Sequence, residues 1–272
     1  KKWGELDIWH LIYRNIPKVT ASFYAAAIDK TFTAQGELVD QPEYRQIYVL
    51  LFERTLWISI LITVICLILG YPVAFLLASL PVRFSNLLMI MVLLPFWTSL
   101  LVRTTSWIVL LQKEGVVNSI LVWAGIINDD GRLQMIFNQT GTVVAMVHIL
   151  LPFTILPMYS VMKTIPPSYM RAARSMGANG FTAFRRVYFP LTLSGLGAGG
   201  LLVFILAVGY YITPALVGGS SGQLISNVIA YHMTSSLNWG LAAALGTILL
   251  FAVLVLFWFY NRLVGIDKMK FG

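Results

Sequence analysis

Nine side chains with polar or aromatic character fall within or at the edges of the long apolar stretches of this sequence: Trp97, Thr98, Arg103, Trp107, His148, Tyr210, Tyr211, Asn227 and Tyr231. Their types suit recognition of a solute rather than bond breaking. Aromatic faces attract organic cations through the ring quadrupole, whereas Arg103 repels a cation and can instead snorkel to an interface. Trp and Tyr near span ends also serve as interfacial belt residues. His148 in an apolar run is costly unless it is hydrogen-bonded, so it is either a functional group or a satisfied interhelical contact. The nine are candidates for a solute pathway.

Residue sets for catalysis or metal binding are not found in the sequence. Cys66 stands alone in an apolar run, and His10, His148 and His232 have no metal-ligand spacing. No metal and no cofactor is therefore expected on this chain. Lys163-Thr164 lacks the upstream glycines of a phosphate-gripping loop, so any ATP would be bound by another chain. Acidic residues are almost absent from the apolar runs apart from Glu53 at an entrance, which argues against proton-coupled transport.

The elements that position these residues are membrane spans. With 58% hydrophobic and 11% charged residues, the chain lies far from soluble averages. Runs long enough to cross about 30 Å of hydrocarbon as helices occur at 55–80, 86–111, 140–162, 192–217 and 239–262. An all-α polytopic membrane protein with five spans is expected. Residues 112–138 are more polar and read as an external connection containing a short helix. Residues 1–54 balance seven basic against seven acidic side chains. They read as an interfacial helix, Trp9 to Ala27, followed by an external loop, leaving 55–272 as the transmembrane domain.

Orientation follows from Lys and Arg, which are retained on the cytoplasmic side. Arg83, Lys163, Arg171, Arg174, Arg185, Arg186, Arg262, Lys268 and Lys270 fall on one side, against Lys113 and Arg132 on the other. Loop 163–190 and the C-terminus are thus expected in the cytoplasm. Five spans ending inside must begin outside, which predicts a sixth helix upstream of or at the N-terminus. The same bias accounts for the net charge of +8 without a nucleic-acid partner.

Residues 168–190 read SYMRAARSMGANGFTAFRRVYFP. Ser168 can cap a short helix, Ala172 and Ala173 keep it thin, and Gly177 can end it in the left-handed conformation. Asn179-Gly180 then reopens the chain into a second short helix, Phe181 to Tyr188, closed by Phe189-Pro190. Such a basic, exposed unit is suited to docking.

Arg171-Ala172-Ala173, Gly177-Ala178, Phe184-Arg185-Arg186-Val187 and Phe189-Pro190-Leu191 resemble the EAA loop of ABC importer permease subunits. Gly70-Tyr71-Pro72-Val73-Ala74, Leu94-Pro95-Phe96-Trp97-Thr98, Leu150-Leu151-Pro152-Phe153 and Gly222 through Asn227-Val228-Ile229 extend the likeness to the spermidine/putrescine type. The resemblance implies a type I importer permease fold in a bacterial inner membrane. It implies two cytoplasmic ATPase subunits, a homodimer that holds ATP and Mg, together with a second, homologous permease and an external binding protein. It also implies ATPase coupling through Tyr169, Arg171, Ala172, Ala173, Met176, Gly177, Ala178, Phe184, Arg185 and Pro190. The implied solute is a polyamine, with another small organic solute such as an amino-acid derivative or opine as the alternative. Arg171 stands where the family loop usually begins with Glu. Either the two permease loops are not equivalent or Arg171 is an ordinary surface residue. A secondary transporter or a membrane scaffold would lack this loop spacing.

Overall fold

The computed structural model describes residues 6–15 and 21–264. Lys268 and Lys270, residues 16–20 of the anticipated interfacial helix, and any span upstream of the chain lie outside them. Before residue 28, the described residues form α1 (Leu6–Asn15) and α2 (Ser22–Ala27). A two-stranded antiparallel hairpin comes next, β1 (Lys30–Phe32) and β2 (Leu38–Asp40), with Lys30 opposite Asp40 and their side chains 3.5 Å apart. It is the one sheet among the described residues of an otherwise helical chain.

The first long helix, α3 (Tyr48–Ser79), starts inside the segment read as a loop. Its 32 residues span about 48 Å, well beyond the hydrocarbon thickness. Its first turn carries no cap of its own. Asp29, only 7% exposed, supplies one from the preceding hairpin: Oδ1 accepts the N–H groups of Ile47 and Tyr48, both at 3.0 Å, and Oδ2 accepts that of Val49 at 2.8 Å.

The second span differs from the single helix expected over 86–111. α4 (Val82–Leu93) runs into a 3-10 turn, Leu94–Trp97, and the chain is extended at Thr98 and Ser99 before α5 (Leu100–Leu111). α6 (Val116–Trp123) is the anticipated short connecting helix. Val82–Trp97 and Leu100–Trp123 together are apolar enough for one crossing but bend by 94°. Pro95, which has no N–H to give the helical ladder, lies within the 3-10 turn, and the chain leaves helical geometry at Thr98.

The chain continues through α7 (Gln139–Thr164), α8 (Pro167–Ser175), α9 (Gly180–Ala183) and α10 (Phe189–Gly209). The turn Phe184–Tyr188 is a π turn that joins α9 to α10, so Gly180–Gly209 is one continuous helical run. This corrects the short helix expected to close at Phe189-Pro190. Pro190 lacks an N–H but sits in the first turn of α10, where a proline interrupts little. Ser168 does not cap α8 either: the helix begins at Pro167 behind extended Pro166, and no side chain bonds its first turn. The span expected over 192–217 ends at Gly209. Tyr210 is extended, and α11 (Ile212–Val217) is separate. α12 (Ile225–Thr234) and α13 (Trp239–Val264) complete the chain.

Among the described residues, four helical runs are long and apolar enough to cross a membrane, with the bent pair as a fifth. α3, α7 and α10 form the central bundle. Ile58, Ile62, Met146, Leu150, Val203 and Ala207 fill its middle. Where α7 meets α10, the backbones come close enough to require glycine. A Cβ at Gly199 would lie 2.8 Å from the Thr154 carbonyl, and one at Gly195 would lie 3.0 Å from the Cα of Met158. At the end opposite the α8 segment, α2, α12 and the start of α13 enclose Ala27, Tyr48, Ile225 and Leu245.

Candidate functional site

The segment between α7 and α10 is built for display at one end of the bundle. Proline is favoured at the first helical position, which Pro167 occupies. The far end of α8 is a Schellman motif. The Gly177 N–H donates to the Arg174 carbonyl at 3.0 Å and the Ala178 N–H to the Ala173 carbonyl at 3.1 Å, with Gly177 at φ +88°. Asn179 then caps α9, its Oδ1 accepting the Thr182 N–H at 2.7 Å. Glycine is needed at 177 for its backbone conformation alone, since a Cβ there would meet nothing within 4 Å.

Ala173 is buried at the base of α8, and Met170 packs onto the cluster beneath it. Tyr169, Arg171, Ala172, Met176, Gly177, Arg185 and Pro190 are exposed, whereas Ala178 and Phe184 are half-buried. Phe184 faces inward, stacked on Tyr188 with ring centroids 5.9 Å apart. Phe181 belongs with the display surface and was missed from the sequence. It is 72% exposed and Met176 is 82% exposed, large apolar groups of the kind that interaction surfaces carry.

The pathway candidates gather at two helix breaks and one interhelical contact. Trp97 and Thr98 lie at the α4–α5 break, and Tyr210 and Tyr211 at the α10–α11 break. α11 packs against α5, α7 and α12. Broken helices at membrane depth persist only where protein or a water-filled cavity satisfies their backbone, and such breaks are where transporters build solute sites. Here the polar side chains of α12 satisfy one break. Ser226 Oγ donates to the Tyr210 carbonyl at 2.7 Å and Asn227 Nδ2 to the Tyr211 carbonyl at 2.7 Å, while Asn227 Oδ1 accepts the Leu224 N–H at 2.9 Å. Asn227 is thus occupied with backbone on both sides of its amide. Tyr231 is exposed and packs edge-on against His232 at 5.5 Å.

The third group joins α5 to α7. Trp107 Nε1 donates to His148 Nδ1 at 3.2 Å, with the rings T-shaped and 5.4 Å between centroids. An accepting Nδ1 puts the proton of the neutral imidazole on Nε2. Arg103, one turn before Trp107, has its Nε and Nη1 buried without a hydrogen-bond partner among the described residues. Trp107→Phe keeps an aromatic ring, though a smaller one, and strands Nδ1, and loss of that hydrogen bond is expected to cost about 1–2 kcal/mol. Thermal unfolding in nanodiscs checks this, with Trp97→Phe, at a residue 88% exposed, expected to unfold as the parent does.

Together these features define a multi-pass helical permease with a displayed loop at one end of its bundle and broken helices within it. Residues 67–265 match the family described as binding-protein-dependent transport system inner membrane component, and the chain belongs to that family. It is the membrane-embedded, non-catalytic permease component of an ABC importer, in the inner membrane. It is 35% identical over 229 residues to the spermidine/putrescine transport system permease protein PotB of Haemophilus influenzae, covering 82% of this chain and 79% of that one. It is 34% identical over 215 residues to PotB of Escherichia coli K12, covering 78% of each. The fold also matches a bacterial ABC transporter for the acidic polysaccharide alginate, with a TM-score of 0.69 at 15% identity over 97% of this chain and 89% of the other.

Proposed function

We propose that this permease passes a polyamine, spermidine or putrescine, across the inner membrane. The observation that carries this is 34–35% identity over about four-fifths of the chain to spermidine/putrescine permeases. The bound periplasmic protein of a structural relative supports delivery by an external binding protein. In this reading two ATPase subunits, a homodimer holding ATP and Mg, engage the α8 segment on the cytoplasmic side. A second, homologous permease pairs with this chain. Tyr169, Arg171, Ala172, Met176 and Phe181 present the docking face, the Gly177 turn sets its angle, and Ala173 seats it on the bundle. The solute crosses near the two helix breaks, past the Tyr210–Tyr211 and Trp97–Thr98 pairs.

ATP hydrolysis by the assembled complex in nanodiscs tests this, with the binding protein loaded in turn with putrescine, spermidine, amino acids and sugars. Stimulation confined to the polyamines is the expected outcome, and stimulation by another solute would overturn the substrate assignment. Gly177→Asp is expected to abolish stimulated hydrolysis, because it forces a non-glycine residue into a left-handed turn and adds charge at the docking face. Uptake left intact in that variant would remove the segment from the coupling role. A second reading, a carboxylate-bearing solute such as an amino-acid derivative or opine, is favoured by Arg103, whose buried Nε and Nη1 have no hydrogen-bond partner among the described residues.

A further inference from the structure

The displayed segment reaches the bundle through an unusual joint. Between α9 and α10 the backbone makes a π turn, Phe184–Tyr188. Such turns are rare and are frequently found at functional positions. A π turn holds one residue more than an α turn, so closing or shifting it rotates α9 by about 100° relative to α10.

Two rings from α3, one turn apart, clamp this joint. Phe75 meets Tyr188 edge-on at 5.3 Å and 85°, and Phe184 at 5.9 Å and 87°. Tyr71 meets Phe184 at 6.3 Å and Phe189 at 5.9 Å. The Tyr71 hydroxyl lies 3.1 Å from Thr192 Oγ, which itself donates to the Phe189 carbonyl at 2.7 Å, so Tyr71 is the donor to Thr192. One residue of α3 thereby holds both a ring of the π turn and the first turn of α10. Tyr188 is buried with Ala74, Leu77, Met158 and Met162, and Met170 of α8 packs onto the same cluster.

We propose that Tyr71 and Phe75 are positioning residues that carry movement of the coupling segment into α3. The inference rests on the reading of residues 167–190 as the ATPase-coupling segment. α3 passes the movement on. It packs along α7 and α10, and at its far end Asp29 grips its first turn while the Tyr48 hydroxyl lies 3.0 Å from His232 Nε2 on α12. Displacement at the π turn is thereby linked to the opposite face of the protein.

The test is the ratio of ATP hydrolysis with and without putrescine-loaded binding protein, measured on the assembled complex in nanodiscs. Tyr71→Ala and Phe75→Ala are each expected to reduce stimulation at least fivefold, with basal hydrolysis and complex yield within twofold of the parent. Tyr71→Phe, which keeps the ring, is expected to retain at least half of the stimulation. Full stimulation in the alanine variants would overturn the inference. So would a parallel loss of basal rate, yield and stimulation, the mark of a merely structural cluster. Phe75 is 38% exposed, so its alanine variant remains informative if Tyr71→Ala folds poorly. A parent complex that assembles but shows no stimulation with any loaded solute overturns the coupling reading itself, an outcome distinct from failure of the variants alone.

Discussion

Gly199→Leu is expected to prevent the chain from accumulating as a folded protein. The Cβ of any residue at 199 would lie 2.8 Å from the Thr154 carbonyl and 3.4 Å from the Thr154 Cα. These are backbone atoms of α7, so no rotamer change relieves the contact. One turn earlier the backbones are as close, since a Cβ at Gly195 would lie 3.2 Å from the Pro157 carbonyl and 3.0 Å from the Met158 Cα, so tilting α10 away would loosen the seam at both glycines. Overpacking a close seam costs about 1–3 kcal/mol and occasionally more, and this site belongs at the upper end. The bundle of α3, α7 and α10 has no other route to the same burial, because close approach through small residues replaces the missing hydrophobic drive between helices in lipid. Gly246→Ala is the control, since a Cβ there meets nothing within 4 Å. Yield and unfolding midpoint in nanodiscs check the pair. A stable Gly199→Leu protein would mean that α7 and α10 are not packed this way.

Asp29→Ala is expected to loosen the whole junction between the hairpin and α3. Three N–H groups at the start of that helix converge on one carboxylate, at the end where the helix dipole favours negative charge. Hydrogen bonds to charged groups contribute about 1.5–3 kcal/mol each, less what water restores on exposure, so a loss on the order of 3 kcal/mol is expected. Asp29 also has φ +57°, a conformation that Asp and Asn tolerate better than Ala. Asp29→Asn should accordingly lose only part of that stability, retaining an acceptor and the backbone conformation. Amide hydrogen exchange at Ile47, Tyr48 and Val49 reads the effect directly, and protection unchanged in the alanine variant would refute the capping role.

The end of α8 was legible because its signal is local. Gly177 specifies a helix stop through its own backbone preference and the helix ends there, whereas its start lies at Pro167 and not under the expected Ser168 cap. The join from α9 to α10 was not legible. Phe189-Pro190 looks like a terminator in sequence, yet Pro190 falls in the first turn of a helix already entered through a π turn. A π turn has no propensity signature, and its rings, Phe184 and Tyr188, find their packing partners far away in the chain, at Tyr71 and Phe75. The two broken spans were misread for a related reason. Hydropathy records that 86–111 and 192–217 are apolar but not where their backbone hydrogen bonds go. At one break the chain turns extended at Thr98 after a 3-10 turn that holds Pro95, and at the other Ser226 and Asn227 donate to the freed carbonyls.

The sequence by itself determined that this is a helical membrane protein, how many apolar runs it has, that a basic loop lies between two of them, and which family that loop resembles. Each of these depends on composition or on residues close in the chain. Only the tertiary structure decided that Asp29 caps a helix whose first turn lies about twenty residues further on, that Trp107 satisfies His148 while Arg103 Nε and Nη1 find no partner among the described residues, and that four rings lock a π turn to α3. The physical reason is the same in each case. A polar or aromatic side chain buried among helices takes its role from whichever distant group satisfies it, and that partner is chosen by packing rather than by spacing along the chain.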